Sequence, residues 1–175
     1  WPGSAQPGYR NRGLALAVSP VKACALRNGL PVFQPERIRR PEAVAALAGL
    51  HIDAMVVVGY GQIIPQSILD LAPKGIINVH ASLLPKYRGA APIQWAIVNG
   101  ESVTGVTTMR IDAGLDTGDM LLREENAIGP NETAVELGAR LATLGPPCAQ
   151  KSCIASMNFV PFGLCIRLKT SAAAA

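Results

Sequence analysis

Two polar side chains, Asn78 and His80, stand two positions apart in an otherwise apolar segment of the 175-residue sequence. If this segment is a strand, residues two apart lie on the same face, so the carboxamide and the imidazole share one side. A carboxamide can donate hydrogen bonds to an oxyanion, and an imidazole can take up and release a proton. The two residues are therefore a candidate catalytic pair. The alternative is an Asn satisfied at a strand end beside a structural His.

A carboxylate, Asp116, lies further along the chain in the segment 112–118, which is rich in Asp and Gly. Glycines on both sides of it permit a tight and unusual backbone path. A carboxylate held in such a loop could orient a histidine or a water molecule. The alternative is an ordinary turn, in which Asp and Gly are the expected residues.

Two segments of small or apolar residues lie between these polar groups, namely Ser82-Leu83-Leu84-Pro85 and Gly89-Ala90-Ala91. The first segment predicts a rigid turn with an apolar surface directly after a strand. The second segment lets the backbone come close to a ligand, because its side chains are small. The alternative for both is a plain loop that ends where a helix begins at Pro92.

The elements that must position these residues alternate between strand and helix. Ser19 is a candidate N-cap for the first helix, and Gly29 is its stop. The apolar run 54–58 predicts a central parallel strand, and the alternation in 105–111 predicts a strand open on one side. The predicted helices are 20–28, 42–50, 91–99 and 132–144, and the predicted strands are 30–34, 54–58, 75–80, 105–111 and 120–127. This order indicates an α/β fold with a doubly wound, mostly parallel sheet, whose ligands bind at the carboxyl ends of the strands.

Composition excludes several classes of protein. Hydrophobic residues make up 49% of the chain, which is too many for a disordered protein. No apolar run approaches the roughly 18 residues that cross a membrane, and no signal peptide is visible. The four cysteines lack metal-ligand spacing, so we expect reduced thiols and no metal site. Residues 1–40 hold seven basic residues against one acid, which either attracts a polyanion such as tRNA or forms a solvated face.

The polar residues also belong to a longer pattern of fixed order and spacing. Its segments are Asn78-Val79-His80, Ser82-Leu83-Leu84-Pro85, Arg88-Gly89-Ala90-Ala91-Pro92-Ile93-Gln94 and Leu115-Asp116-Thr117-Gly118-Asp119-Met120. This string resembles the formyltransferases that use formyltetrahydrofolate. The segments Arg88–Gln94 and Asp112–Met120 are similar in particular to the methionyl-tRNA formyltransferases. The segments 12–13, 19–22 and 29–35 fit as well, so that the resemblance covers residues 9 to 146.

The resemblance implies a function and its residues. It implies three catalytic residues: Asn78, His80 and Asp116. It implies a folate-contacting segment: Ser82, Leu83, Leu84 and Pro85. It implies a basic residue near the methionyl end of the tRNA: Arg12. The expected co-substrate is 10-formyltetrahydrofolate without a metal, the expected partner is initiator methionyl-tRNA, and the expected protein is a monomer in the bacterial cytoplasm or, in a eukaryote, in an organelle.

The chain departs from the family's pattern in three places. Leu14 and Ala15 stand where the family often has lysines near Arg12, which predicts weaker contact with tRNA there. The family's first strand is expected to be absent, so residues 1–146 would be a catalytic domain that is incomplete at its start. Residues 147–175 would be a tail foreign to the family, in place of its tRNA-gripping barrel domain.

Two other functions stay open, and three more are disfavoured. A related enzyme that formylates an amino-sugar nucleotide is one alternative, and an inactive fragment that binds folate is another. The segment 88–94 argues against the purine-pathway formyltransferase and the formyltetrahydrofolate hydrolase. A dinucleotide-binding domain is disfavoured, because Gly59-Tyr60-Gly61 lacks the third glycine and the acidic partner of that motif.

Overall fold

Six strands and five helices are found in the part of the chain that the structure describes. The structure is a computed structural model, and it describes residues 9–10 and 16–157. The strands are β1 (Tyr9–Arg10), β2 (Leu16–Ala17), β3 (Met55–Val58), β4 (Ile76–His80), β5 (Val103–Arg110) and β6 (Met120–Ala127). The helices are α1 (Pro20–Arg27), α2 (Pro41–Ala48), α3 (Gln66–Leu69), α4 (Pro92–Val98) and α5 (Ala134–Met157). None of these helices, within the described ranges, has both the length and the apolar composition of a membrane span.

A mixed sheet in the order β3-β4-β5-β6 forms the centre of the fold. The strands β3 and β4 are parallel, whereas β5 is antiparallel to both of its neighbours. The predicted α/β class with a mostly parallel sheet is confirmed: among the described strands of this sheet, β3, β4 and β6 run in one direction and β5 runs against them. The loop 111–119 is too short for the crossover of a dozen or more residues that a parallel connection needs, so β6 returns antiparallel to β5.

The first helix begins as predicted, but the strand expected after it does not form. Ser19 Oγ accepts a hydrogen bond from Lys22 N at 3.2 Å, and Gly29 leaves the helix with a φ of +65°. The segment 30–34 is not a strand, and its side chains Leu30 and Phe33 are exposed. An isolated strand is not stable without a partner, and neither of the sheets in the described part of the chain includes this segment.

The strand β3 lies at an edge of the described sheet rather than at its centre. Its only described neighbour is β4, to which it is parallel as predicted. Val56 is 48% exposed and Val58 is 65% exposed, whereas Met55 and Val57 pack in the core with Ile76. The apolar run correctly predicts a parallel strand, but the described residues bury only one of its faces.

The strand β5 is buried on both faces, so the prediction of a face open to solvent is wrong. Its two adjacent threonines are fully buried because each hydroxyl is hydrogen-bonded. Thr107 Oγ1 donates to Ser82 O at 2.7 Å, and Thr108 Oγ1 lies 2.6 Å from Ser152 Oγ. The alternation of threonine with apolar residues therefore marks internal hydrogen bonds and not a surface.

The helix α5 continues past the point where its end is predicted. It runs through Pro146 and Pro147 to Met157, although proline removes a helical hydrogen bond and crowds the preceding turn. Its second half buries Cys148 and Ser152 against the sheet, and this tertiary packing outweighs the local signal. The predicted end of the domain at residue 146 therefore falls inside a helix. Residues 158–175 lie outside the described part of the chain.

The two faces of β4 are covered differently. Val79 packs in a core cluster with Leu137 and Leu141 of α5, and Ile77 packs against Cys153 of the same helix. Because side chains alternate along a strand, Asn78 and His80 point to the opposite face. The polar pair therefore lies on the side of the sheet that α5 leaves free.

Candidate active site

The loop between β5 and β6 brings Asp116 to the polar pair of β4. Asp116 Oδ1 accepts a hydrogen bond from Asn78 Nδ2 at 3.1 Å, and Asp116 Oδ2 lies 3.5 Å from His80 Nδ1. The side chains of His80 and Asp116 are only 7% and 15% exposed, so water and salt screen their interaction weakly. The structure thus brings together the three residues that the resemblance implies to be catalytic.

The direction of β5 decides how Asp116 reaches this place. Because β5 is antiparallel to β4, its last residue, Arg110, pairs with Ile77 near the start of β4. The loop 111–119 must therefore run back along the face of the sheet to bring Asp116 to His80. Parallel strands would have placed His80 and the loop of Asp116 at the same edge of the sheet. In the structure β4 and β5 end at opposite edges, and the loop covers the distance between them.

Two glycines and an aspartate fix the path of this loop. A Cβ on Gly118 would lie 1.9 Å from the carbonyl oxygen of Arg110, so only glycine fits beside that strand end. Asp112 Oδ1 accepts hydrogen bonds from Gly114 N at 2.9 Å and from Thr117 Oγ1 at 2.8 Å. Asp116 itself has a φ of +50°, in the left-handed region that Asp tolerates better than bulky residues. The loop is thereby held in the shape that points Asp116 at β4.

A backbone group completes the surroundings of the carboxylate. Gly89 N donates a hydrogen bond to Asp116 Oδ2 at 2.8 Å, so both carboxylate oxygens accept a hydrogen bond within the protein. The small residues around Gly89 are predicted to let the backbone approach a ligand. In the structure, the backbone at Gly89, with a φ of +82°, approaches Asp116.

The second ring nitrogen of His80 faces the backbone. His80 Nε2 lies 2.8 Å from the carbonyl oxygen of Tyr87. A carbonyl oxygen can only accept a hydrogen bond, so Nε2 carries a proton and donates it. The other ring nitrogen, Nδ1, lies on the side of Asp116. Tyr87 is not predicted from the sequence, because a backbone carbonyl leaves no mark in residue type.

The predicted folate-contacting segment forms a tight turn after β4. The side chains of Ser82 and Leu84 are buried, and Ser82 Oγ donates to Lys86 O at 2.6 Å. Leu84 N donates to Thr107 Oγ1 at 3.1 Å, which ties the turn to β5. These two side chains are therefore occupied within the protein, and a ligand could meet only their backbone.

Three residues of the segment, Leu83, Leu84 and Pro85, line a cavity of about 420 Å³. Its volume is in the range of small-molecule sites. Arg123 and Glu125 of β6 form another part of its wall. None of the three polar residues of the candidate active site lines this cavity. The reacting atoms are therefore better placed at Asp116 than in the cavity.

We expect the substitution Thr107→Val to destabilise the turn. Valine keeps the shape of threonine but leaves Ser82 O and Leu84 N without their partner, and a buried unpaired group costs about 1–3 kcal/mol. The free energy of unfolding in urea and the hydrogen exchange of the Leu84 amide measure the effect.

The neighbouring substitution Thr108→Val is the matched control. It removes a buried hydroxyl from the opposite face of β5, where it meets Ser152. We expect both variants to lose stability, but only Thr107→Val to accelerate exchange at Leu84. Equal exchange at Leu84 in the two variants would contradict the role given to Thr107.

Two further predictions concern residues outside this cluster. Arg12 lies outside the described residues, so its place relative to the site stays a prediction.

Among the described residues, no group of His, Cys, Asp and Glu is arranged to hold a metal ion. Cys148 and Cys153 are free, and burial raises the pKa of both thiols, which therefore stay protonated at neutral pH.

Comparison with known proteins finds matches to one enzyme family. The profile of the formyl transferase family matches residues 4–150. The methionyl-tRNA formyltransferases of Solibacter usitatus and Koribacter versatilis are 71% and 64% identical, over 78% of this chain. The chain spans 44% of the length of each, less than half of these curated relatives.

A solved structure has the same architecture. The phosphoribosylglycinamide formyltransferase of Bacillus halodurans superimposes with a TM-score of 0.69 at 27% identity. The superposition covers 77% of this chain and 75% of that one. The α/β architecture is therefore shared with a related formyltransferase of known structure. The family profile spans most of the sequence and includes all three residues of the polar cluster, so the chain belongs to the formyl transferase family.

Proposed function

We propose that this chain is the catalytic part of an enzyme that transfers a formyl group from 10-formyltetrahydrofolate to the amino group of methionyl-tRNA. The names of the two curated relatives support the acceptor, and the family supports a folate donor. The observation that carries the proposal is the position of Asp116, whose carboxylate joins Asn78 to His80. Formyl transfer needs a donor for a developing oxyanion and a route for a proton, and this cluster contains both.

Asn78 is the proposed oxyanion donor. Its side-chain nitrogen carries two hydrogens, and one of them is donated to Asp116 Oδ1. That hydrogen bond orients the carboxamide and leaves the second hydrogen for the formyl oxygen, which becomes negative when the amine adds to the formyl carbon. A preorganised donor of this kind typically contributes about 2.7–4 kcal/mol to the stability of the transition state.

His80 and Asp116 are proposed to move the proton. The attacking amine must lose a proton, and the folate nitrogen that leaves must gain one. His80 Nδ1 and Asp116 Oδ2 lie 3.5 Å apart and face each other, so the carboxylate can stabilise the ring when it is protonated. General acid–base help of this type is worth roughly a hundred- to ten-thousand-fold in rate.

The remaining residues are assigned to the substrates. We propose that the turn formed by Ser82, Leu83, Leu84 and Pro85 contacts the folate, through the side chains of Leu83 and Pro85 and through the backbone of the other two. Arg12 is proposed to lie near the methionyl end of the tRNA. The catalytic domain is proposed to comprise residues 1–146 by sequence, with α5 extending it in space to Met157. The protein would act as a monomer in the cytoplasm during translation initiation.

The purified chain should formylate methionyl-tRNA when 10-formyltetrahydrofolate is supplied. The product is measured as formyl-methionyl-tRNA, with an amino-sugar nucleotide as the competing acceptor in a parallel reaction. Transfer to the sugar alone would show that the proposed acceptor is wrong. The full-length relative from Solibacter usitatus serves as the positive control.

A second measurement separates an inactive fragment from a wrong assignment. A folate analogue at about 100 times its dissociation constant stabilises a folded site by about 2.7 kcal/mol, which raises the melting temperature. A rise without formyl transfer would mean that the chain binds the donor but does not catalyse the reaction. No rise and no transfer would contradict the proposed function.

A further inference from the structure

The side chain of Tyr87 is tied to the end of α4. Its hydroxyl donates a hydrogen bond to Glu101 Oε1 at 2.7 Å and accepts one from Asn99 Nδ2 at 3.0 Å. Hydrogen bonds from Lys86 and Tyr87 lower the pKa of Glu101, which therefore remains an ionised acceptor at neutral pH. The aromatic side chain is thus fixed at its far end by two polar partners.

The backbone of Tyr87 needs such a fixed side chain. Its φ is +58°, in the left-handed region, which is strained for a residue with a bulky side chain. In this conformation its carbonyl oxygen lies 2.8 Å from His80 Nε2. If the residue relaxed to a common backbone conformation, the carbonyl would turn away from the ring.

We propose that Tyr87 is a positioning residue for His80. Its contacts with Asn99 and Glu101 hold the left-handed backbone, and the carbonyl oxygen of that backbone fixes a proton on Nε2. The neutral ring then keeps its lone pair on Nδ1, 3.5 Å from Asp116 Oδ2, where a proton can be exchanged with the site. The inference rests on the proposed function only where it gives His80 a part in proton transfer. The position of the ring proton is a property of the protein without substrate.

The state of the ring can be measured directly by nuclear magnetic resonance. The sequence has only two histidines, so a chain labelled with ¹⁵N in histidine gives signals from His80 and from the exposed His51 alone. Long-range ¹H–¹⁵N correlation distinguishes the protonated from the unprotonated ring nitrogen. The pH is raised until both rings are neutral. We expect His80 to carry its proton on Nε2.

The substitution Tyr87→Phe tests the anchor. It removes both hydroxyl contacts, and a loss of about 1.4 kcal/mol changes the ratio of the two tautomers of His80 about tenfold toward the Nδ1–H form. Tyr60→Phe is the matched control, because the hydroxyl of Tyr60 is buried without a hydrogen-bond partner among the described residues. Asn99→Ala removes one of the two contacts and should shift the ratio in the same direction by less, which keeps the test available if Tyr87→Phe fails to fold.

Three results would overturn the proposal. The first is a neutral His80 that carries its proton mainly on Nδ1 in the unaltered chain. The second is an unchanged ratio in both Tyr87→Phe and Asn99→Ala. The third is an equal shift in the Tyr60→Phe control. None of these measurements uses a substrate, so a failure of formyl transfer would refute the proposed function without deciding the role of Tyr87.

Discussion

Replacement of Asp116 by Asn is expected to lower the rate of formyl transfer by about a hundred- to ten-thousand-fold while the chain stays folded. The carboxylate accepts hydrogen bonds from Asn78 and from Gly89 N, and it faces His80 Nδ1. An amide of the same shape has no negative charge to stabilise a protonated imidazole. It also turns one of its two acceptors into a donor. The rate of formyl-methionyl-tRNA formation and the circular dichroism of the variant are the two measurements.

The control for this prediction lies in the same loop. Asp119→Asn removes the same charge from an exposed position, and we expect it to leave the rate within a few-fold of the original. Because Asp116 and His80 act on one proton, the double variant with His80→Ala should lose little more than the more damaging single variant. A near-normal rate for Asp116→Asn, or strictly additive losses, would be incompatible with the assigned roles.

Replacement of Asn78 by Ala is expected to lower turnover by on the order of a hundred- to a thousand-fold, with little change in KM. The substitution removes the hydrogen that is proposed to meet the oxyanion, which exists only after the amine has added. It also frees Asp116 Oδ1 from its donor. Steady-state rates over a range of methionyl-tRNA concentrations separate the effect on kcat from the effect on KM.

The variant Asn78→Asp sharpens this test. It keeps the size of the side chain but places a second carboxylate about as close to Asp116 as the present 3.1 Å contact. Two carboxylates at this distance cannot both be ionised easily, so one of them takes up a proton. We expect a loss of turnover at least as large as that of Asn78→Ala. A rise in KM alone, with kcat unchanged in both variants, would show that Asn78 binds substrate and does not stabilise the oxyanion.

The sequence allowed the shared face of Asn78 and His80 to be predicted from strand alternation alone. The position of Asp116 could not be derived in that way. Its loop reaches His80 only because β5 runs antiparallel to β4 and the loop folds back over the sheet, which no local pattern records. The composition of the loop suggested a carboxylate that could orient a histidine, and the resemblance to a family implied that this carboxylate acts together with Asn78 and His80; in the structure the three side chains lie within 3.5 Å of one another through Asp116.

Other features could not be predicted from the sequence because they depend on tertiary contacts. The threonines of β5 look like solvent-facing residues in the sequence, but Thr107 and Thr108 are buried and paired with groups far away in the chain. The prolines at 146 and 147 predict the end of a helix, whereas packing of Cys148 and Ser152 carries it onward. In each case the local tendency is real, and a contact between distant segments outweighs it.

The alternation along β4 also limits how this protein can change. The side chains of Ile77 and Val79 pack in the hydrophobic core, and those of Asn78 and His80, on the other face, belong to the candidate active site. An insertion or deletion of a single residue within Ile76–His80 would exchange the two sets, since each later side chain would turn to the other face. The length of this strand is therefore fixed more strictly than the identity of any one of its apolar residues.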